Sequence, residues 1–516
     1  MCAIRGVGMR KLVLVRFRML RLITLGAGLA STLTASLLGR QAKWVAALSL
    51  VPHALPAQQP PQRPVLSEVV RRYVAVDQPV VALTNVRIID GTGRPPLDNQ
   101  TIIIAGTAIQ DVGPAARIAI PRDAQVLDLR GRTVIPGLVG MHEHLYFSAY
   151  LDENGIPTHQ DMRYSFPRLY LAAGVTTIRT AGAKNVYSDV NLKNAIDAGV
   201  APGPYIYVTG PMFRQGGPLT FPDYTGPERL RAAVRYWASL GVRWFKIYQQ
   251  ATRAETRAII EEAHARGARV TGHLCATSFN EAVALGIDNL EHGFITNSAF
   301  LSEKRLDECP RNWVLAVLRV NADSSQVKEL VALLVRRKIP LTSTLAAFQE
   351  YVNDSPAPQQ RVLDVMAPTS RESCLRQREQ LSRSSNTARA IYEREVELER
   401  LFHAAGGLLL AGSDPTANGC VVAGFANQRQ IEAMVEGGFS VVDAIRIATY
   451  NGAQFLGVGD QVGSIERGKR ADLVVVNGNP AQNIQDIRNV QMVFKDGIGY
   501  DPARLIADAR GFVGVR

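Results

Sequence analysis

Short apolar runs broken by turn residues occupy both ends of the chain, and between them apolar runs alternate with segments of helical period. Residues 80–89 (VVALTNVRII), 101–105 and 126–129 read as strands separated by turn residues such as Asp90-Gly91 and Gly131. The same texture returns at 463–468 (GSIERG), 471–477 (ADLVVVN) and 490–495 (VQMVFK). Two β-rich flanks around a long middle predict a small β-sandwich domain built from both chain ends, residues 65–135 with 455–516. In the middle, strands are predicted at 134–144, 175–181, 205–210, 243–248, 269–274, 289–294, 340–345 and 408–414. Helical patterns intervene; residues 253–266 carry alanines and charges at helical spacing and are closed by Gly267. Eight strands alternating with helices match an α/β fold, a (β/α)8 TIM barrel over 136–454. A doubly wound open sheet would compete, but no G-x-G-x-x-G follows a first strand. Residues 300–402 exceed what barrel closure requires and are mostly helical in pattern, which predicts a cover over the mouth.

Composition changes this picture mainly at the start. The chain has 516 residues, 47% hydrophobic and 20% charged, enough for a large core. Its net charge of +12 is a nucleic-acid signal only until its distribution is read. Residues 1–58 hold eight Lys/Arg and no Asp or Glu, which leaves +4 for the remainder, and no basic stripe interleaved with aromatics runs through the body. Nucleic acid is therefore not expected as a partner. The basic start precedes an apolar, small-residue stretch at 22–39 and a second at 44–57, the layout of an export signal. Cleavage near Ala57 makes the mature protein periplasmic or secreted, with no stable membrane partner; an uncleaved N-terminal anchor is the alternative reading. Met9 and Met19 are alternative starts.

Candidate chemistry lies at the ends of the middle strands. His142-Glu143-His144 closes the first of them, and residues two apart on a strand share a face, so both imidazoles enter the barrel while Glu143 points away. Lys246, His273, His292 and Asp414 fall at the ends of four later strands, where barrel enzymes keep their active sites. Singly, each histidine could be a satisfied core residue, and a lysine between Phe245 and Ile247 would ordinarily need a carboxylate partner. Five such positions on different strands weigh against that reading. A second solution for Lys246 is a carbamate formed with CO2, whose two oxygens bridge two cations.

These residues, in PGLVGMHEHL, WFKIYQ, VTGHL, NLEHGF and AGSD, followed by ATYNGA and GSIERGKRADLVVV, resemble the amidohydrolase superfamily. The branch resembled is the imidazolonepropionase-like and Xaa-Pro-dipeptidase-like one with carboxylated lysine, over roughly residues 80–500. The resemblance implies that His142, His144 and Asp414 hold one divalent ion, His273 and His292 a second, with carboxylated Lys246 bridging. Nitrogen and carboxylate donors without thiolates suit Zn2+. Such a pair shares a water and lowers its pKa toward neutrality, giving a bridging hydroxide. Asp414 is the implied catalytic residue, taking the water's proton and handing it to the leaving nitrogen. The implied reaction is hydrolysis of amide C–N bonds in small molecules such as N-acyl amino acids, dipeptides, aryl amides or cyclic amides.

Substrate contacts are less legible. Tyr248 continues the face of Lys246 and Cys275 that of His273, so both are expected at the mouth. Tyr146, Phe147, Phe213 and Phe294 would suit an apolar acyl or aryl group, or serve as core. The same site could run as an esterase or lactonase; a non-catalytic exported binding protein is the other reading, though decayed enzymes usually lose ligands. Four cysteines follow the N-terminal segment, none in a C-x-x-C spacing, which argues against a thiolate zinc site. In an oxidising compartment Cys309 and Cys374 could pair and tie the cover together; buried free thiols are the alternative. Assembly into a homo-oligomer stays open.

Overall fold

The computed structural model describes residues 63, 65–150, 157–214, 224–383, 386–416 and 419–516. The export-signal reading of residues 1–58 lies outside them. Among the described residues no helix is long and apolar enough to cross a membrane.

Both chain ends enter one nine-stranded sheet. Its order runs Val74–Val76, Ile498–Tyr500, Val490–Lys495, Leu473–Asn477, Arg132–Pro136, Val80–Ile88, Leu97–Ala105 and Ala108–Pro114, with Gln125–Asp128 also paired to Val80–Ile88. The join is antiparallel, Val475 opposite Val134 and Leu473 opposite Pro136. Alternation selects the faces: Val81, Leu83, Val134, Leu473, Val475 and Phe494 form an apolar core cluster of this sheet.

The middle of the chain supplies parallel strands with helices between them. Leu138–Glu143, Val175–Thr180 and Tyr205–Tyr207 form one sheet. Thr209–Phe213, Trp244–Ile247, Arg269–Gly272, Asn289–Glu291, Leu341–Ser343 and Leu409–Ala411 form another, in that order. Most are buried along their whole length, as parallel strands covered on both faces must be. The connecting helices begin where the sequence supplies caps. Thr252 and Glu255 form a capping box at Arg253–His264, and Ser278 and Glu281 do the same at Phe279–Leu285.

The long connections after Asn289–Glu291 and Leu341–Ser343 are helical, as expected. They hold a 3-10 turn at Trp313–Arg319 and helices at Ser325–Arg337, Leu345–Gln349, Gln360–Val365, Pro368–Ser382 and Thr387–Ala404. The expected Cys309–Cys374 pairing is wrong. Cys309 bonds Cys275, and Cys374 bonds Cys420. Each half of the insertion is thus tied to a segment leaving a parallel strand, because those segments pass beside it, while spacing along the chain carries no such information. The free-thiol alternative falls with it.

The Thr387–Ala404 helix turns Glu395, Leu398, Glu399 and Phe402 inward at helical spacing. Two carboxyls therefore meet in the interior. Glu395 Oε1 accepts the Phe294 amide at 2.8 Å and Glu399 Oε2 accepts the Ser343 hydroxyl at 2.8 Å. The remaining oxygens, Oε2 of Glu395 and Oε1 of Glu399, are buried without a hydrogen-bond partner, and a proton shared by the two carboxyls is expected to offset that cost. Burial, then the neighbouring charge, holds Glu395 well above the usual carboxylate range; burial pushes Glu399 up to about 8. A carboxyl raised on folding contributes stability that is full below its unfolded value near 4.5 and is lost as pH rises through about 8. Glu399→Gln keeps the shape and removes the proton requirement. The variant is expected to lose roughly 1 kcal/mol or less at acidic pH and to match or exceed the parent above about pH 8. Thermal unfolding of both proteins across that range checks this, and parallel pH profiles would refute the shared proton.

Candidate metal centre

Strand alternation and strand order bring the predicted residues to one place. The rings of His142 and His144 are 5.4 Å apart, His142 and His292 4.3 Å, and His292 and His273 4.6 Å. Asp414 Oδ1 lies 3.1 Å from His144 Nε2 and 3.6 Å from His142 Nε2. His142, His292 and Asp414 offer ligand atoms that all lie within 4.8 Å of one another, a grouping able to hold a cation.

Three imidazoles are fixed from behind. His142 Nδ1 meets Glu291 Oε2 at 2.7 Å, His144 Nδ1 meets the Gly182 carbonyl at 3.0 Å, and His292 Nδ1 meets Thr344 Oγ1 at 2.9 Å. In each the Nδ1 side is occupied, which leaves Nε2 as the donor atom for the centre. His273 differs: its Nε2 lies 3.0 Å from Gln249 Nε2, and its buried Nδ1 has no partner. An orphaned buried nitrogen costs free energy unless something binds it.

Backbone geometry at two of these residues is unusual. His292 has φ of 65° and Asp414 φ of 46°, the left-handed region that non-glycine residues seldom occupy and that clusters at functional sites. Gly412, in the AGSD segment, lies so close to His142 that a Cβ there would strike the histidine's own Cβ. The amides of Ser413 and Asp414 both donate to the His142 carbonyl, at 3.2 and 2.9 Å, which sets Asp414 beside the first strand.

Lys246 is 1% exposed, and among the described residues no carboxylate comes within ion-pair distance of its Nζ. Burial lowers it to about 8, only partly opposed by Glu291 and Asp414. Burial, with the charge of Lys246 and neighbouring histidines, holds His142, His273 and His292 well below the usual imidazole range, so they stand neutral. Burial opposes the charged form of Asp414, but His142, His144 and Lys246 outweigh it and hold the carboxyl well below its usual range. Neutral imidazoles and an ionised carboxylate are the forms that bind metals.

Sequence reasoning missed the groups behind this cluster. Glu291 takes bonds from Arg179 and Thr271 as well as His142, and Arg179 also reaches Asn289 Oδ1 at 2.8 Å and the Met141 carbonyl. Burial disfavours the Glu291 carboxylate, but Arg179 and Lys246 overcome this and lower it. Glu143 points away from the imidazoles, as expected, yet is fully buried, accepting from Tyr170, Asn427, and the amide and hydroxyl of Ser413. A charged residue within an apolar strand was the available signal for Arg179 and Glu291, the same signal that singled out Lys246.

Of the expected substrate contacts, Tyr248 stacks on His273 with ring centres 4.4 Å apart. Cys275 is corrected: it is buried and bonded to Cys309, so it offers no thiol to the mouth. Tyr146 lies 4.9 Å from His144, whereas Phe147, Phe213 and Phe294 pack against Phe166, Phe245 and Phe402 and belong to the core. Two further rings border the centre, Trp313 at 5.3 Å from His273 and Phe348 at 5.7 Å from His292.

The sequence profile of the Amidohydrolase family matches residues 133–498. Comparison with curated protein sequences finds no match. Among solved structures, a candidate prolidase from Bifidobacterium longum is 27% identical, with a TM-score of 0.60, covering 83% of this chain and 98% of its own. A Xaa-Pro dipeptidase with methionine bound in its active site is 23% identical, with a TM-score of 0.61 over 82% of this chain and 100% of its own. Phenylurea hydrolase B is 23% identical, with a TM-score of 0.60 over 83% of this chain and 98% of its own. The profile spans most of the chain and includes every residue of the cluster just described: the protein belongs to the amidohydrolase family and is a hydrolase.

Proposed function

We propose that the protein is a binuclear metal-dependent hydrolase that cleaves amide C–N bonds of small molecules at the mouth of a (β/α)8 barrel. The observation that carries this is the donor set itself. Three imidazoles have Nδ1 held from behind, and the carboxylate of Asp414 sits against the Nε2 atoms of His142 and His144. The barrel reading is supported by the strand order and by the two amides that link the last parallel strand to the first through the His142 carbonyl. The two β-rich chain ends, meeting in one sheet, support a separate small domain beside it.

His142, His144 and Asp414 would hold one ion and His273 and His292 the other, and Lys246, as a carbamate, would supply both with oxygen donors. The Lys246 nitrogen adds to the carbon of CO2 and loses one proton, so an ammonium-forming group becomes an anion with two donor oxygens. Two divalent ions, Zn2+ by the chemistry of these donors, supply Lewis-acid activation of water and of the scissile carbonyl when bound. Asp414 takes the proton of the attacking water and returns it to the leaving nitrogen, which departs as an amine. Glu291 keeps the His142 ring oriented, and Tyr248, stacked on His273, does so for that ring. The two disulfides support export to an oxidising compartment.

The test is a metal assay joined to a substrate screen. Zinc-loaded protein is expected to hold about two equivalents per chain and to hydrolyse at least one class among N-acyl amino acids, dipeptides and aryl amides. Turnover of lactones or esters alone would move the assignment to those bonds. Failure to retain metal would overturn it.

A further inference from the structure

The Cys275–Cys309 disulfide sits at a telling place. Cys275 follows His273 by two residues, and Cys309 precedes Trp313 by four. The bond holds the two Cα atoms 5.0 Å apart, so it clips the start of the cover directly to the strand end that carries His273. Four residues span at most about 14 Å, and Pro310 stiffens this stretch further. Trp313, first residue of the Trp313–Arg319 turn, is thereby kept near His273, its ring edge-on to the imidazole. Behind it, Ala316 and Val317 of the same turn are fully buried.

Trp313 is only half-buried where its ring borders His273. It does not stand alone there. Tyr248 lies flat on His273, at an interplanar angle of 25°, and Phe348, from the Leu345–Gln349 helix in the other half of the insertion, meets His292 at 88°. Three rings of different origin border the His273–His292 side of the cluster, whereas the Asp414 side is bordered by Tyr146. Rings that meet edge-on and face-on present surfaces suited to a further flat ring, and such contacts add to simple apolar burial.

We propose that Trp313, positioned by the Cys275–Cys309 disulfide, is a specificity-determining residue that selects substrates carrying a planar aromatic group next to the cleaved bond. This rests on the metal-centre reading above and deepens it, naming the substrate class. The disulfide acts as a positioning device. It is not the sole anchor of this loop, since Asp307 accepts the Arg253 amide at 2.7 Å and Lys304 donates to the Ala276 carbonyl at 2.9 Å. Loss of the disulfide therefore loosens Trp313 without releasing the whole cover.

Two metal-chelating probes that differ only in the group of interest test this on zinc-loaded full chain: acetohydroxamic acid and benzohydroxamic acid, with affinities measured by calorimetry. The parent protein is expected to prefer the aromatic probe by roughly tenfold or more, the scale of one buried ring. Trp313→Leu should reduce that preference to about threefold or less, leaving acetohydroxamate affinity and metal content unchanged. Trp313→Phe should retain most of it, which separates loss of the ring from loss of packing. The Cys275→Ser/Cys309→Ser double variant should fall between parent and Trp313→Leu. Equal affinities in the parent, or a preference that survives Trp313→Leu, would overturn the inference while the metal centre stands. Failure of acetohydroxamate to bind the zinc-loaded parent would overturn the metal-centre reading, and this inference with it.

Discussion

Replacing Asp414 with Asn is expected to lower turnover by roughly 10²-fold or more while the protein stays folded and metal-loaded. Asn keeps an oxygen for the cluster but cannot carry the proton from water to the leaving nitrogen. The backbone favours this substitution over any other, because Asp414 has φ of 46° and Asn is, with Asp, among the residues that best tolerate that region. The amide bond from residue 414 to the His142 carbonyl does not involve the side chain and survives. Turnover and metal content measured on the same preparation decide the matter. Near-parental turnover with both ions bound would remove Asp414 from the proton path.

Lys246→Ala is expected to abolish measurable turnover and to lower metal content, with partial recovery of both when a short carboxylate such as propionate is added. The fold should tolerate the change. Lys246 has no ion-pair partner among the described residues to leave stranded, and Glu291 keeps Arg179 and His142. An unmodified ammonium at this depth would repel both cations, whereas an anionic bridge attracts them. Added propionate supplies two oxygens in the cavity that the shortened side chain opens. Retained metal and activity in the alanine variant would show that Lys246 bridges nothing, and a mass spectrum or electron density showing plain lysine in fully metallated protein would do the same.

What could be read along the chain, and what could not, divides on physical grounds. Strand ends were legible because parallel strands buried on both faces leave long apolar runs, and polar residues inside such runs stand out. His142, His144, Lys246, His273, His292 and Asp414 stand out in this way, and the structure sets the four imidazoles in a run of neighbouring rings with Asp414 against His142 and His144. Arg179 in VTTIRT and Glu291, beside His292 in NLEHGF, carry the same signal, but both act from behind His142, a role that only the folded structure shows. Cysteine pairing was not legible at all. It depends on which insertion segment passes which strand end, and the chain joins Cys275 to Cys309 across 34 residues and Cys374 to Cys420 across 46. The place of Trp313 beside His273 is hidden for the same reason, since it sits in an insertion whose path is set by tertiary packing. Glu395 and Glu399 look on the page like the wet side of a charged helix, and only the three-dimensional packing shows them facing inward.

The mixed sheet has a bearing on how the molecule is made. Strand Arg132–Pro136 is flanked on one side by Val80–Ile88 and on the other by Leu473–Asn477, so its second edge stays open until a segment roughly 340 residues downstream has left the ribosome. At about 5–20 residues per second that interval is roughly 17–70 s. For its duration the nascent chain carries an apolar β edge of the kind that invites pairing with other chains and that chaperones shield. A stop codon anywhere before Leu473 would leave that edge open for good, however completely the metal-binding strands had assembled.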